Sequence, residues 1–149
     1  MLNNVLMTAS TPVANHAIAI ELNALFLIAL GVVLLVFPET GAMLFNLVYF
    51  YRPVVEVAPE IQRYIFVAHG VLGAVMIGWM GLIIFITRGP FCDLQPWAWK
   101  SIALSVGVWY CSDTTFSFFH NAYGNVLLNT VAVIGFVIPL AMSRRYFAV

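Results

Sequence analysis

The chain has 149 residues, of which 63% are hydrophobic and only 8% are charged. About a quarter of the residues in a typical soluble domain are charged, so this composition excludes an ordinary water-soluble domain and indicates an integral membrane protein. The formal net charge is zero, which excludes a strongly basic nucleic-acid-binding surface.

The first predicted membrane crossing runs from about residue 17 to residue 37 and ends at Pro38-Glu39-Thr40-Gly41, a cluster of helix-stopping residues. Its first turns carry Glu21 and Asn23, which we expect to be solvated at the membrane interface. No Lys or Arg precedes this segment, so it lacks the basic region of a secretory signal peptide. We therefore expect the first crossing to serve as its own insertion signal.

The connection from residue 41 to residue 60 is apolar and aromatic in its first half, where Phe45, Tyr49 and Phe50 lie. This apolar part is too short to span a hydrocarbon core of roughly 30 Å, and aromatic residues are enriched at membrane interfaces. The pattern predicts a short helix or turn that lies on the bilayer surface.

The second predicted crossing runs from about residue 61 to residue 87 and ends at Arg88-Gly89-Pro90. It contains several small residues that predict close helix packing, and they are Gly70, Gly73, Ala74, Gly78 and Gly81. Small residues at spacing four leave a groove in which another helix backbone can approach closely. We interpret this groove as a packing surface within the chain, and a homo-oligomer interface is the alternative.

The third and fourth predicted crossings cover about residues 97 to 119 and 125 to 142. The connections between the last three crossings are short, and the chain shows no internal repeat and no linker. The pattern therefore predicts one transmembrane domain over residues 1 to 149, an all-α integral membrane four-helix bundle.

Basic residues in the short loops predict the orientation of this bundle. One side of the membrane would hold Arg88, Lys100, Arg144 and Arg145. The other side would hold Arg52 and Arg63. The larger number of basic residues favours both termini on the cytoplasmic, matrix or stromal side of a bacterial inner membrane or an organelle membrane.

Polar side chains on the predicted crossings form the main candidate site. His69, Asp113 and Asn129 fall at about the same depth, in the outer third of the membrane, when residues are counted from the helix ends. Residues four apart share one helix face, so Ser117 accompanies Asp113. The predicted cluster faces inward and consists of His69, Asp113, Ser117 and Asn129, with His120 and Asn125 nearer its mouth.

Two interpretations of this cluster stay open. Ionisable groups within membranes are costly and commonly functional, which favours a polar pocket for a lipophilic ligand's head group or a proton-linked site. Asparagine and serine can also donate hydrogen bonds to a carboxylate and hold helices together, at about 0.6 to 2 kcal/mol for each bond. One aspartate and scattered histidines do not form a catalytic constellation, so we predict no catalytic residue.

No cofactor and no metal ligand are predicted from the residues. The histidine and glutamate spacing of a carboxylate-bridged metal centre is absent from the sequence. His69 could ligate a haem or chlorophyll, but a single histidine in an apolar helix is more often packed and hydrogen-bonded. Contacts with lipid, quinone or pigment stay open for the aromatic faces. Cys92 and Cys111 lie about 28 Å apart on a helix, too far for a disulfide.

Short motifs in the last three crossings carry a resemblance. They are Gly78-Trp79-Met80, Trp97-Ala98-Trp99, Trp109-Tyr110, Asp113-Thr114-Thr115-Phe116-Ser117, Asn125-Val126-Leu127-Leu128-Asn129-Thr130 and Ile138-Pro139-Leu140. With these motifs, residues 62 to 142 resemble small uncharacterised four-span bacterial membrane proteins whose layout is similar to the DoxX-like superfamily. The resemblance implies a four-span architecture. It also implies, for some DoxX relatives, a role as small membrane subunits beside quinone-linked oxidoreductases.

Three functions are compatible with these features. The favoured one is a non-catalytic accessory subunit that packs against lipids and other subunits of a larger membrane complex, because the chain has almost no extramembrane mass. The second is binding or transport of a quinone, sterol or lipid in the outer-third pocket. The third is a quinone- or metal-linked membrane oxidoreductase component that uses His69 or His120.

Overall fold

The computed structural model describes residues 11–50 and 58–147, and the chain is all-α within them, as predicted. Five α-helices follow one another, and they are α1 (Thr11–Val36), α2 (Pro38–Phe50), α3 (Pro59–Ile86), α4 (Pro96–Phe119) and α5 (Tyr123–Ser143). A π-helical turn, Thr87–Phe91, extends α3, and a 3-10 turn, Arg144–Tyr146, follows α5. We call the end of the fold that holds the α4–α5 turn the outer end.

Three helical segments are long and apolar enough to cross a membrane: Pro12–Val36, Pro59–Phe91 and Tyr123–Tyr146. About 20 helical residues span a hydrocarbon core, and each of these segments exceeds that length. They correspond to the first, second and fourth predicted crossings. α4 is also long enough, with 24 residues, but it is less apolar and is not among them. The fourth crossing therefore stays a prediction.

The first half of the predicted connection between the first two crossings is a helix, α2. Pro38 begins this helix, because a proline is tolerated in the first helical turn, where its missing N–H is not needed. α2 folds back on α1 at a sharp bend. A Cβ atom on Gly41 would lie 2.6 Å from Leu34 Cδ2, whereas in a straight helix residues seven positions apart are separated by about 10 Å. Residues 51–57 lie outside the described part of the chain, and a position of α2 on the bilayer surface stays a prediction.

The end of α3 differs from the predicted stop at Arg88-Gly89-Pro90. The helix continues as a π turn through Pro90 to Phe91. A proline ring clashes with the carbonyl group four residues earlier in a regular α-helix, and a wider π turn relieves this clash. The turn is closed by the Gln95 N–H, which donates to the Pro90 carbonyl oxygen over 2.9 Å.

α1 lies at the centre of the fold and packs against both α3 and α5. Its contact with α3 includes two glycines: a Cβ on Gly31 would lie 2.9 Å from the Gly73 carbonyl oxygen, and a Cβ on Gly73 would collide with the Gly31 carbonyl oxygen. Glycine is therefore required at both positions for the two backbones to touch.

α4 joins the rest of the fold along α5 and through a pair of tryptophans. The rings of Trp79 on α3 and Trp109 on α4 lie 5.5 Å apart between centroids. The Trp99 indole N–H donates to the Leu140 carbonyl oxygen of α5 over 2.8 Å. α3 and α4 share few other close approaches. The tryptophan pair is thus the main side-chain contact between α3 and α4 among the described residues.

Candidate functional site

Three of the predicted site residues meet between α4 and α5. Asp113 Oδ1 accepts a hydrogen bond from the Ser117 hydroxyl over 3.2 Å and another from Asn125 Nδ2 over 3.0 Å. Asn125 Nδ2 also donates to Ser117 Oγ over 2.7 Å. Ser117 and Asn125 are buried, whereas Asp113 is half-buried. The three side chains form a closed triangle of hydrogen bonds, which we call the Asp113 triangle.

The short turn between α4 and α5 places these residues side by side. The Ala122 N–H donates to the Ser117 carbonyl oxygen over 2.9 Å, which closes the end of α4. Asn121 adopts the left-handed conformation, with φ 58°, and asparagine tolerates this region better than most residues. α5 therefore starts next to the last turns of α4, and Asn125 faces Asp113 although twelve positions separate them in the sequence.

Asn129 belongs to a second set of polar contacts, one turn further along α5. Its Nδ2 lies 3.4 Å from Thr114 Oγ1, a long and weak hydrogen bond. The Thr130 hydroxyl donates to the Val126 carbonyl oxygen over 2.8 Å, so the Tyr110 hydroxyl, 3.2 Å away, donates to Thr130 Oγ1. The structure thus brings Asn129 to the same helix interface as the Asp113 triangle, without a direct bond to Asp113.

Sequence reasoning missed three members of this interface: Tyr110, Thr114 and Thr130. The sequence does contain a pattern that could have identified two of them. Tyr110 and Thr114 are four residues apart and Ser117 follows at helical spacing, so the three lie on one face of α4. Thr130 directly follows Asn129, but neighbouring residues point in different directions on a helix, so its contact with Tyr110 depends on how the two helices are rotated.

The structure does not bring His69 into this cluster. Its Nδ1 lies 2.8 Å from the Ile65 carbonyl oxygen, and its ring packs edge-on against Phe45 of α2, with 5.4 Å between centroids. His69 precedes Trp79 by ten residues and Asp113 follows Trp109 by four. Counted along the helices from this tryptophan contact, His69 is six residues, or about 9 Å, further away than Asp113. Counting from helix ends could not reveal this offset, which the contact between the helices sets.

His120 also lies apart from the Asp113 triangle. Its Nδ1 is 2.8 Å from the Phe116 carbonyl oxygen, and its ring stacks on the Phe116 ring at 4.0 Å between centroids. His120 is exposed at the outer end of α4. Each histidine ring thus contacts a carbonyl oxygen four residues earlier and a phenylalanine ring, which for His69 belongs to another helix, α2.

The small residues of α3 divide into one inward contact and an outward face. Gly73 is the member that touches α1, at Gly31, a partner that sequence reasoning missed. A Cβ atom on Gly70, Gly78 or Gly81 would have nothing within 4 Å. Ala74 is exposed as well. The stripe at spacing four, which the sequence suggested as the packing groove, therefore points away from the described helices.

Glu21 and Asn23, expected to be solvated, are both bonded within the fold. Glu21 Oε2 accepts a hydrogen bond from Arg88 Nε over 3.0 Å, and the Glu21 side chain is only 17% exposed. Asn23 Nδ2 donates to the Ala132 carbonyl oxygen of α5 over 3.0 Å. Counting residues from a chain end gives depth but not a partner on another helix, which explains the difference.

The described residues hold no group of three or more His, Cys, Asp or Glu side chains that could bind a metal ion. Cys92 and Cys111 are free thiols. Burial raises the pKa of the Cys92 thiol above its usual value, and the neighbouring carboxylates of Glu21 and Asp93 raise this pKa further. Because the thiolate is the reactive form, Cys92 is a poor nucleophile at neutral pH.

The Asp113 triangle can therefore hold two helices together and present one free carboxylate oxygen. Asp113 Oδ2 receives no hydrogen bond from the described residues. The Ser117 hydroxyl donates to the Asp113 carboxylate and accepts from the Asn125 amide, and no histidine of the described residues is bonded to it.

Comparison of the chain with models of protein families, with curated proteins and with solved structures finds no match. The similarity to the DoxX-like layout therefore stays a prediction from the short motifs.

Proposed function

We propose that the chain is a small non-catalytic membrane protein that works as a packed subunit of a larger membrane assembly. The observation that carries this proposal is a pair of exposed hydroxyl groups, Ser112 and Thr115, on the otherwise apolar outward face of α4. The proposal includes α4 as the fourth membrane crossing, with both termini on the cytoplasmic, matrix or stromal side.

The contacts between α4 and α5 support α4 as a crossing. They extend from Trp99, bonded to Leu140, to Ser117, bonded to Asn125. These contacts cover 18 residues of α4, or about 27 Å along a helix, which approaches the thickness of a hydrocarbon core. Since α5 is itself apolar enough to cross a membrane, a helix paired with it over this length lies in the same layer.

The outward face of α4 does not suit a lipid environment alone. Its ends are apolar and exposed, with Leu104 68%, Val108 60% and Phe119 75% accessible. Between them lie Ser112 and Thr115, both exposed on the same stripe. The Ser112 hydroxyl donates to the Val108 carbonyl oxygen, whereas the Thr115 hydroxyl receives no hydrogen bond from the described residues. Acyl chains offer no partner for a hydroxyl, but a neighbouring helix does.

The outward face of α3 supports the same role. Gly70, Ala74 and Gly78 are four residues apart, and none of the described helices covers the glycines closely. Without a hydrophobic effect between helices in lipid, such small residues favour association because they let backbones approach. The interior fits a packed subunit, since every buried side-chain nitrogen or oxygen of the described residues has a hydrogen-bond partner.

A photo-cross-linking side chain at residue 115 tests the proposal. Leu127 on α5 is a matched control, because it is 62% exposed and lies between Asn125 and Asn129, at the depth of the Asp113 triangle. We expect the Thr115 position to give one discrete adduct with a different protein in native membranes, and the Leu127 position to give lipid adducts. The same partner should co-purify in mild detergent at a fixed ratio.

Two results would contradict the proposal. Lipid adducts alone from both positions, with a chain that migrates by itself, would show that no partner covers α4. An adduct with twice the mass of the chain would show a homo-oligomer instead of a subunit among different proteins.

A further inference from the structure

We infer that the outer half of the boundary between α3 and α4 binds an amphiphilic organic cation, with the Asp113 carboxylate as its counter-charge. This site uses the space between α3 and α4 and not the outward faces of these helices, so it does not rest on the proposed subunit role.

The inward face of α4 changes from covered to open along its length. Ala98, Ile102 and Val106 lie on this face and are at most 2% exposed. Asp113 follows Val106 by seven residues, on the same face, but it is only half-buried. Phe116, three residues further, is 62% exposed. Side chains on this face of α4 are therefore buried up to about the level of Asp113 and exposed beyond it.

The facing side of α3 opens at the same level. Trp79 touches Trp109 of α4, and Leu72 precedes Trp79 by seven residues, on the same face of α3. Leu72 is 42% exposed, whereas Trp79 on the same face is half-buried. Both facing walls are thus accessible above the tryptophan pair. The inferred opening lies above the tryptophan pair, with the two indole rings as its floor and with Leu72 and Phe116 on its apolar walls.

Asp113 brings an uncompensated charge to this opening. Ser117 and Asn125 both donate to Oδ1 but are neutral, and Oδ2 has no hydrogen-bond partner among the described residues. No cationic side chain of the described residues forms an ion pair with Asp113; the ion pair they hold joins Arg88 and Glu21. A carboxylate in an apolar layer is costly without a counter-charge, so the opening favours a positively charged occupant.

The rings around Asp113 favour the same ligand class. Indole and phenyl faces attract cations by about 0.5 to 2 kcal/mol, with the larger value in sites from which water is excluded. Trp109 and Phe116 lie within about one helical turn of Asp113, and Trp79 contacts Trp109. One face of the Phe116 ring is covered by the His120 imidazole, which leaves the other face for the ligand. The apolar walls fit a hydrocarbon tail. A neutral alcohol could donate to Oδ2 but would leave the charge and the ring faces without a partner.

Equilibrium binding of tritiated dodecylamine, which is protonated at neutral pH, tests the inference on the full chain in nanodiscs of zwitterionic lipid. We expect saturable binding that dodecyltrimethylammonium displaces, because this competitor has the charge but no N–H. Dodecanol, which has a donor but no charge, should displace the probe only weakly.

Three variants locate the site. Asp113→Asn keeps the size and one acceptor oxygen but removes the charge, and we expect at least about a tenfold loss of affinity. Leu72→Trp fills the opening without touching the Asp113 triangle, and we expect a loss of similar size. Asp93→Asn removes an exposed carboxylate in the α3–α4 turn and should leave binding unchanged. Helical circular dichroism and the thermal midpoint check that each variant is folded.

Several results would overturn the inference. They include a wild-type chain without saturable binding, a folded Asp113→Asn variant with wild-type affinity, and displacement by dodecanol as strong as that by dodecyltrimethylammonium. Dodecylamine binding could also be absent from a chain that is isolated together with a partner protein. That result would mean that a side chain of the partner pairs with the Asp113 carboxylate, and it would overturn the ligand site. None of these results changes the cross-linking expected at Thr115, so the two proposals fail separately.

Discussion

The α1–α3 contact and the α4–α5 contact join helices by different means. At the first, the backbones of Gly31 and Gly73 touch, and no side-chain hydrogen bond of the described residues links the two α-helices there. At the second, Asp113, Ser117 and Asn125 exchange hydrogen bonds across the helices. Lipid tails are as apolar as leucine, so helices in a membrane associate through close packing or through polar bonds, and this chain uses both. The first contact should depend on residue size and the second on hydrogen-bond donors.

Gly73→Ala should have the largest effect. The added Cβ would collide with the Gly31 carbonyl oxygen and would lie 2.9 Å from the Leu35 backbone nitrogen, neither of which can move without shifting α1. Overpacking of this kind costs about 1 to 3 kcal/mol. The measurement is the free energy of unfolding in mixed detergent micelles, followed by circular dichroism.

Gly78→Ala is the matched control on the same helix. Its Cβ would have nothing within 4 Å, so alanine should stabilise the chain by about 0.5 to 1 kcal/mol through its better helix propensity. Equal effects of the two substitutions would contradict the assignment of Gly73 to the contact with α1.

Asn125→Ala should have the next largest effect, because it removes the donor that serves both Asp113 and Ser117. The buried Ser117 hydroxyl and the carboxylate would lose a partner, at about 1 to 2 kcal/mol. Asn129→Ala, which removes only the 3.4 Å contact with Thr114, should cost about 0.6 kcal/mol in the same unfolding assay. A larger loss at residue 129 than at residue 125 would reverse the ranking of these contacts.

Gly135→Ala tests a contact between α1 and α5 that combines a close approach at a glycine with a side-chain hydrogen bond. A Cβ on Gly135 would lie 2.6 Å from Asn23 Oδ1, and the Asn23 side chain would have to leave its bond with the Ala132 carbonyl oxygen. We expect a loss of about 1 kcal/mol. In an Asn23→Ala background the same substitution should be neutral or stabilising, so a double-mutant cycle measures the coupling. Additive effects would show that the two residues do not interact.

Glu21→Gln should have the smallest effect on stability, under about 0.5 kcal/mol, because Arg88 is 58% exposed and water screens the pair. It should also lower the pKa of the Cys92 thiol, since the Glu21 carboxylate raises that pKa. Alkylation of Cys92 in a Cys111→Ala background should therefore become faster at a given pH near neutrality. An unchanged pH profile would mean that Glu21 does not act on Cys92.

The raised pKa of Cys92 also makes the stability of the folded state depend on pH. The folded thiol keeps its proton at pH values where an unfolded thiol, with its usual value of 9.0, has lost it. The corresponding stabilisation is present below that pH and is lost as the pH rises through the pKa of the folded state.

The sequence by itself determined the all-α class and the apolar segments, because hydrophobicity and helical length are local properties. It placed Asn129 in the cluster with Asp113 and Asn125 nearer the mouth, whereas Asn125 is the residue bonded to Asp113. It also predicted that Ser117 accompanies Asp113, because the two residues are one helical turn apart. This contact follows from distances along the chain.

Only the tertiary structure decided the depth and rotation of one helix against another. α3 touches α1 through two glycines and α4 through a tryptophan pair, and His69 then lies beside Phe45, with no bond to Asp113 among the described residues. The same packing makes Gly73 the inward glycine and leaves Gly70 and Gly78 outward. Such offsets depend on how side chains of different segments fit together, and a periodic pattern within one segment carries no information about that fit.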